Sequence, residues 1–355
     1  SLIVQAASGA DVSETGAGYL ISGSDGAETL SVTGMANTVI AGSGNDSLSA
    51  IGDGNTLTAG IGSDTLTATG DNNILQGATG PAVLTATGNT NVLVAGDGAA
   101  TITATGDNNA LQGGSGTDSL TATGDNNNLA AGSGVNVLVA DGATNSLQGG
   151  SGLDTLAAQG DSNVLTAGSG NAALSAFGNS EQLYAGAGSD RLAAAGNSNQ
   201  LVGSFGAVAI TTVGDDDTVT GGAGGMLATV SGDDAQVVGG KADDTLIAAG
   251  SGDTISGASG DNLLIGAFGN TIASYDAATS AVTADLGSGT AAVNGFGGSD
   301  TLIGIYDIVG SASGRYGAGN PSCRSRRRRK RRVKPDSLNY MLNGPRCLIA
   351  CARKA

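Results

Sequence analysis

Seven polar residues close glycine-rich runs along this chain: Asp46, Asp64, Asp118, Asn136, Asp154, Asp190 and Asp244. The runs include AGSGND (41–46), AGIGSD (59–64), GGSGTD (113–118), GGSGLD (149–154) and AGAGSD (185–190). Carboxylate and amide oxygens beside flexible glycine backbone form an oxygen-rich turn, and its chemistry is that of a cation site. Carboxylates stacked at strand spacing repel by ~0.9 kcal/mol per neighbouring pair in water, a cost that a shared cation removes.

Between these runs lies a second kind of turn. It reads ATGDNN (68–73, 104–109 and 122–127) or AQGDSN (158–163). It aligns Asn37, Asn55, Asn73, Asn91, Asn109, Asn127, Asn145, Asn163 and, beyond Glu181, Asn199. Stacked amides can hydrogen-bond each other and the turn backbone with no metal, so this column is expected to be a structural Asn ladder. The acid-or-amide alternation then becomes a difference between two edges of one structure.

The elements that position these turns follow from a nine-residue period. Stepping by nine from Ile3 to Leu264 gives 30 positions, of which all but Ala228 hold Leu, Ile or Val. Unbroken spacing means that each unit stacks on the next. The Gly, Asn and Asp clusters would break a helix at every turn. Thr65–Thr69 alternates instead, with Leu66 and Ala68 inward and three Thr outward, as in a strand. Two nonapeptides make one coil of 18 residues. The expected fold is all-β: a flat parallel β-solenoid of the β-roll or β-helix kind, about 15 coils and ~70 Å long.

Composition narrows the function. The chain has 355 residues, 63 Gly, no His and no Trp. Arg191 and Lys241 are the only cations before Arg315, while all but one of the 31 acids lie there. Such a body repels nucleic acid and anionic lipid and attracts cations. No apolar run approaches 18 residues, so no membrane span is expected. All three cysteines (Cys323, Cys347 and Cys351) lie near the end. Without His or Cys in the body, a Ser nucleophile would have no partner base, and catalysis is not expected.

The GxGxD turns resemble the glycine-rich nonapeptide GGxGxDxUx of RTX (hemolysin-type) calcium-binding repeats. That resemblance implies a β-roll binding Ca²⁺ through Asp carboxylates and backbone carbonyls, here at Asp46, Asp64, Asp118, Asn136, Asp154, Asp190 and Asp244. It also implies a secreted, extracellular or cell-surface bacterial protein. This chain would be a structural or adhesive spacer with calcium ions and extracellular or cell-surface partners. Two departures stand out. The second edge carries Asn instead of Asp, and the first has Ala82, Ala100, Ala172 and Val208 at equivalent points. The alternative for the Asp residues is that they are turn formers only. The clusters Asp215–Asp217, Asp233–Asp234 and Asp243–Asp244 are either cation ligands or, the favoured reading, solvated turn charges.

Two other functions remain open. Outward Thr67, Thr69, Thr85, Thr87, Thr103, Thr105, Thr121 and Thr123 form a ladder resembling the ice-binding faces of some antifreeze proteins. Exposed strand Thr explains the same pattern. Alternatively, the chain is the non-catalytic repeat part of a secreted polysaccharide-acting or toxin-type enzyme.

Three segments are expected: a solenoid over 1–265, an irregular β segment over 266–313, and an Arg-rich tail over 314–355. Residues 281–286 suggest a strand that a Gly-Ser-Gly turn returns, and Gly298–Leu302 looks like the repeat resuming. The Arg run 324–332 can be read as a nuclear or nucleic-acid tag, but the abrupt basic tail better fits a shifted reading frame, because GC-rich Gly codons give Arg out of frame. It is expected to be disordered. The first coil opens at Ser1 without a cap, so further coils are expected upstream.

Overall fold

The computed structural model describes residues 2–267 and 270–311, together with the backbone of 315–316 and 348–352. Among these residues there is no helix. Each 18-residue coil contributes one long strand, such as Asp64–Thr69, and one short strand, such as Ile74–Gln76. Long strands pair in parallel with long strands, and short with short. Leu66 lies beside Leu84, Leu84 beside Ile102, and Leu75 beside Leu93. The short strands form a sheet of 17. The result is a two-sheet β-solenoid of about 15 coils.

The core is one column of side chains from each sheet. In Asp64–Thr69, Asp64, Leu66 and Ala68 are buried while Thr65, Thr67 and Thr69 face solvent. Leu66 and Leu75 are both fully buried, and the pattern repeats along the solenoid. A fully buried Leu contributes roughly 2 kcal/mol by area. Small Ala beside each Leu keeps the sheets close, so the core is long and thin.

The turns need glycine for two different reasons. A methyl group on Gly60 would lie 1.5 Å from the carbonyl oxygen of Gly42 in the coil before, so that coil, as packed, has no room for a side chain there. On the Asn edge Gly70 has φ +131°, a conformation costly for L-residues. Asn72, two residues on, has φ 60°, which Asn tolerates.

Outward threonines fall into register. Thr67, Thr85, Thr103 and Thr121 form one column, and Thr69, Thr87, Thr105 and Thr123 the next. Both columns then pass to Val139 and Asp141.

The coil ladder runs through Asn262–Gly266 and then takes an excursion. After Ile272–Ser274 the chain forms a hairpin, Thr283–Asp285 antiparallel to Thr290–Val293. The first strand is shorter than the sequence suggested. Asp285 Oδ1 accepts the N–H of Gly287 at 2.8 Å and starts the turn early. Asp300–Ile303 then pairs in parallel with Asn262–Ile265, and Asp307–Val309 with Ile272–Ser274. The excursion is thus inserted into a coil, and stacking resumes after it. Leu348–Ala352 runs antiparallel to Thr283–Asp285. The Arg run 324–332 and most of the expected disordered tail lie outside the described residues.

Candidate metal centre

The Asp edge lies where each short strand turns into the next long strand. Asp46, Asp64, Asp118, Asn136, Asp154, Asp190 and Asp244 are all buried there. Five of them share one geometry. Asp64 Oδ1 accepts the backbone N–H of Asp46 at 2.9 Å, and its Oδ2 accepts that of Gly60 at 3.0 Å. Asp118 does the same for Ala100 and Gly114. Asp154 serves Asn136 and Gly150, Asp190 serves Ala172 and Gly186, and Asp244 serves Met226 and Gly240. One oxygen ties the carboxylate to the preceding coil and the other closes its own turn. This capping accounts for the burial of a charge, because hydrogen bonds to ionised acceptors offset desolvation.

Asp46 departs from this pattern. Its Oδ1 accepts the N–H of Glu28 at 2.8 Å, while its Oδ2 is buried without a hydrogen-bond partner. Burial first, and then the neighbouring Glu28 and Asp64, raise its carboxyl above the ordinary range. Glu28 occupies the same column one coil earlier. The Ser24 hydroxyl leads the contacts that lower its carboxyl.

The column has gaps with a local remedy. Where Ala82 follows Asp64, the Asp64 N–H donates to the backbone carbonyl of Pro81 at 3.1 Å. Asp154 turns likewise to Asn171, and Asp190 to Ala207. The structure therefore groups Glu28 with Asp46 and Asp64, Asp118 with Asn136 and Asp154, and Asp244 with Asn262 and Asp300. Asp190 stands between Ala172 and Val208.

The opposite edge holds the asparagines. Asn37, Asn55, Asn73, Asn91, Asn109, Asn127, Asn145, Asn163 and Asn199 are all buried. They bond the backbone and not one another. The N–H of Asn91 donates to Asn109 Oδ1 at 2.8 Å, and that of Asn109 to Asn127 Oδ1 at 2.7 Å. Nδ2 bonds the glycine three residues back in some coils: Asn55 donates to the Gly52 carbonyl at 2.8 Å and Asn163 to that of Gly160 at 2.7 Å, whereas Nδ2 of Asn73, Asn91, Asn109, Asn127 and Asn145 is buried without a partner.

Sequence reasoning missed a second column on this edge. Asp71 Oδ1 accepts the N–H of Asn89 at 2.7 Å, and Asp125 Oδ1 accepts that of Ala143 at 2.7 Å. These exposed residues reach forward to the next coil, whereas the buried asparagines reach back to the coil before. The repeated Asp of GDNN was the available signal. Two expectations for the late acids also change. Asp217 is fully buried, not solvated, because it continues the asparagine column, as the equally buried Asp253 does. Asp244 is buried too, on the Asp edge. Burial is the leading cause that raises all three carboxyls.

Among the described residues no three acidic side chains converge on one point. A hard cation here would draw most of its oxygens from turn carbonyls, as Ca²⁺ with six to eight oxygen ligands can. Asp46 fits this requirement, since its partnerless buried oxygen lies in a run of three acids. Fold and turns together define a calcium-type β-roll. The profile of the RTX calcium-binding nonapeptide repeat (four copies) matches residues 22–50, 49–84, 85–120, 103–138, 139–172, 175–208 and 237–273, more than half of the chain. The chain belongs to that family, whose nonapeptides bind calcium and which is typical of secreted bacterial proteins. No curated protein and no solved structure matches it. No helix among the described residues is long and apolar enough to cross a membrane.

Proposed function

We propose that this solenoid is a calcium-stabilised, non-catalytic spacer of a larger secreted bacterial protein, with Ca²⁺ held on the Asp edge alone. The observation carrying this reading is the partnerless buried Oδ2 of Asp46, set between Glu28 and Asp64. The run Asp118–Asn136–Asp154 is the second site, and Asp190 and Asp244 contribute weaker ones. Bound calcium would neutralise stacked carboxylates and tie neighbouring coils together. The Asn edge needs no ion, because its amides already serve the backbone of adjacent coils. Extracellular calcium modules bind at about 10⁻⁴ to 10⁻³ M, so such sites fill outside the cell and stay empty in cytosol. Binding then adds folding free energy after export.

Circular dichroism of the full chain, titrated with Ca²⁺ against Mg²⁺, tests this. A gain in β signal or thermal stability with Ca²⁺ alone, lost in Asp46→Asn/Asp64→Asn, is the expected result. Equal stability in chelator and in calcium would overturn it.

A further inference from the structure

Three acids interrupt the buried asparagine column: Glu181, Asp217 and Asp253. Each keeps one function of the amide that it replaces, by accepting the N–H of the preceding coil. Glu181 Oε2 accepts that of Asn163 at 3.1 Å, Asp217 Oδ1 that of Asn199 at 2.8 Å, and Asp253 Oδ1 that of Ala235 at 3.0 Å. They differ at the second oxygen. Asp217 Oδ2 accepts the Thr212 hydroxyl, and Asp253 Oδ2 accepts the N–H of Gly250 at 2.9 Å. Glu181 Oε1 is buried with no partner.

That oxygen takes the role of an NH₂ donor. Asn163 and Asn199 donate from Nδ2 to the carbonyls of Gly160 and Gly196, at 2.7 and 2.5 Å. A methyl group on Gly178 would lie 2.1 Å from the Gly160 carbonyl oxygen and 2.7 Å from Glu181 Oε1. Glu181 Oε1 thus lies against the tightly packed Gly178 turn, buried and without a donor. We infer that Glu181 is a proton-operated rung: protonated, its carboxyl carries one accepting oxygen and one O–H, like the acceptor and donor of the missing amide, and ionised, it leaves a buried charge on an oxygen that has no donor.

The surroundings favour the proton. The preceding turn presents Asp161, Ser162 and Asn163, its own turn Asn179 and Ser180, and the following turn Asn197, Ser198 and Asn199. Only Asp161 ionises, and its charge is negative. Burial, with Asp161 adding to it, pushes the Glu181 carboxyl up to about 7 from 4.5. The folded state thus holds the proton that the unfolded chain releases. The rung is complete below pH 4.5, and its contribution is lost as pH rises through about 7.

The test compares the full chain with Glu181→Asn, which restores the amide, in chelator from pH 5 to 8. Near pH 5 the two melting temperatures should lie close together. By pH 8 the wild type should fall below the variant by roughly 2–4 °C. The Glu181 carboxyl carbon should titrate near pH 7 by NMR. A melting-temperature difference that does not change with pH, or titration near 4.5, overturns the proposal. So does a Ca²⁺-induced stabilisation at pH 8 found in the wild type and absent from Glu181→Asn, which would put a cation in place of the proton. Failure of the Asp-edge calcium reading leaves this comparison intact, because both proteins keep that edge.

Discussion

Asp46 donates its backbone N–H to Asp64 Oδ1 at 2.9 Å, so the carboxylate of one coil caps the backbone of the coil before it. The same 18-residue link joins Asn91 to Asn109 on the other edge. Both columns are therefore devices for holding coils in register, and the proposed calcium sites are added to one of them. A buried carboxylate costs free energy that a buried amide does not, and a cation offsets that cost.

Removing calcium should loosen the Asp edge selectively. In chelator, hydrogen exchange should quicken at Glu28 and Asp46, whose amides lead into the run, and change little at Asn91 and Asn109. Equal quickening on both edges would refute the division of labour.

Asn109→Ala deletes the acceptor of the Asn91 N–H and leaves a buried donor unmatched. The expected cost is about 1–3 kcal/mol, measured by urea denaturation. Loss of the Asn91 amide protection in hydrogen exchange would locate the damage. An unchanged midpoint would mean that the N–H finds a carbonyl, as that of Asp64 does at Pro81.

Gly60→Ala places a methyl 1.5 Å from a backbone carbonyl, which only movement of the coils can relieve. Gly54→Ala meets nothing within 4 Å but keeps φ +66°. The first should destabilise by several kcal/mol, and the second by about 1 kcal/mol. Comparable melting temperatures for the two variants would argue against tight coil contact.

Acidity should stabilise the calcium-free protein over a limited range. Burial raises the carboxyls of Asp217, Asp244 and Asp253 above 3.8. A raised carboxyl favours the folded state when protonated, so stability falls as pH climbs from 3.8 through the folded values. Asp217→Asn and Asp253→Asn should each flatten that fall in thermal melts recorded from pH 4 to 7. An unaltered slope in both variants would show that these groups do not control it.

Much of this protein was open to inspection before any coordinates. An uninterrupted nine-residue period leaves one arrangement in which every Leu is buried, and turn residues then separate into two edges. Coil length, strand alternation and the assignment of Asp and Asn to opposite edges follow from periodicity alone. Asp217 and Asp253 were legible in principle too, since stepping by 18 from Asn199 reaches both. Asp217 is expected in solvent because runs of acids usually face it, and register overrode that tendency.

What the sequence determined by itself is the ladder: 18 residues per coil, Leu inward, polar residues at the turns. Tertiary structure alone decided where each polar atom goes. Whether Asp64 caps backbone on two coils, whether the asparagines pair with each other or with glycine carbonyls, and which of Glu181, Asp217 and Asp253 lacks a donor all depend on distances across the stack. Those distances are set by coil-on-coil hydrogen bonding between residues 18 apart, and no local pattern encodes them.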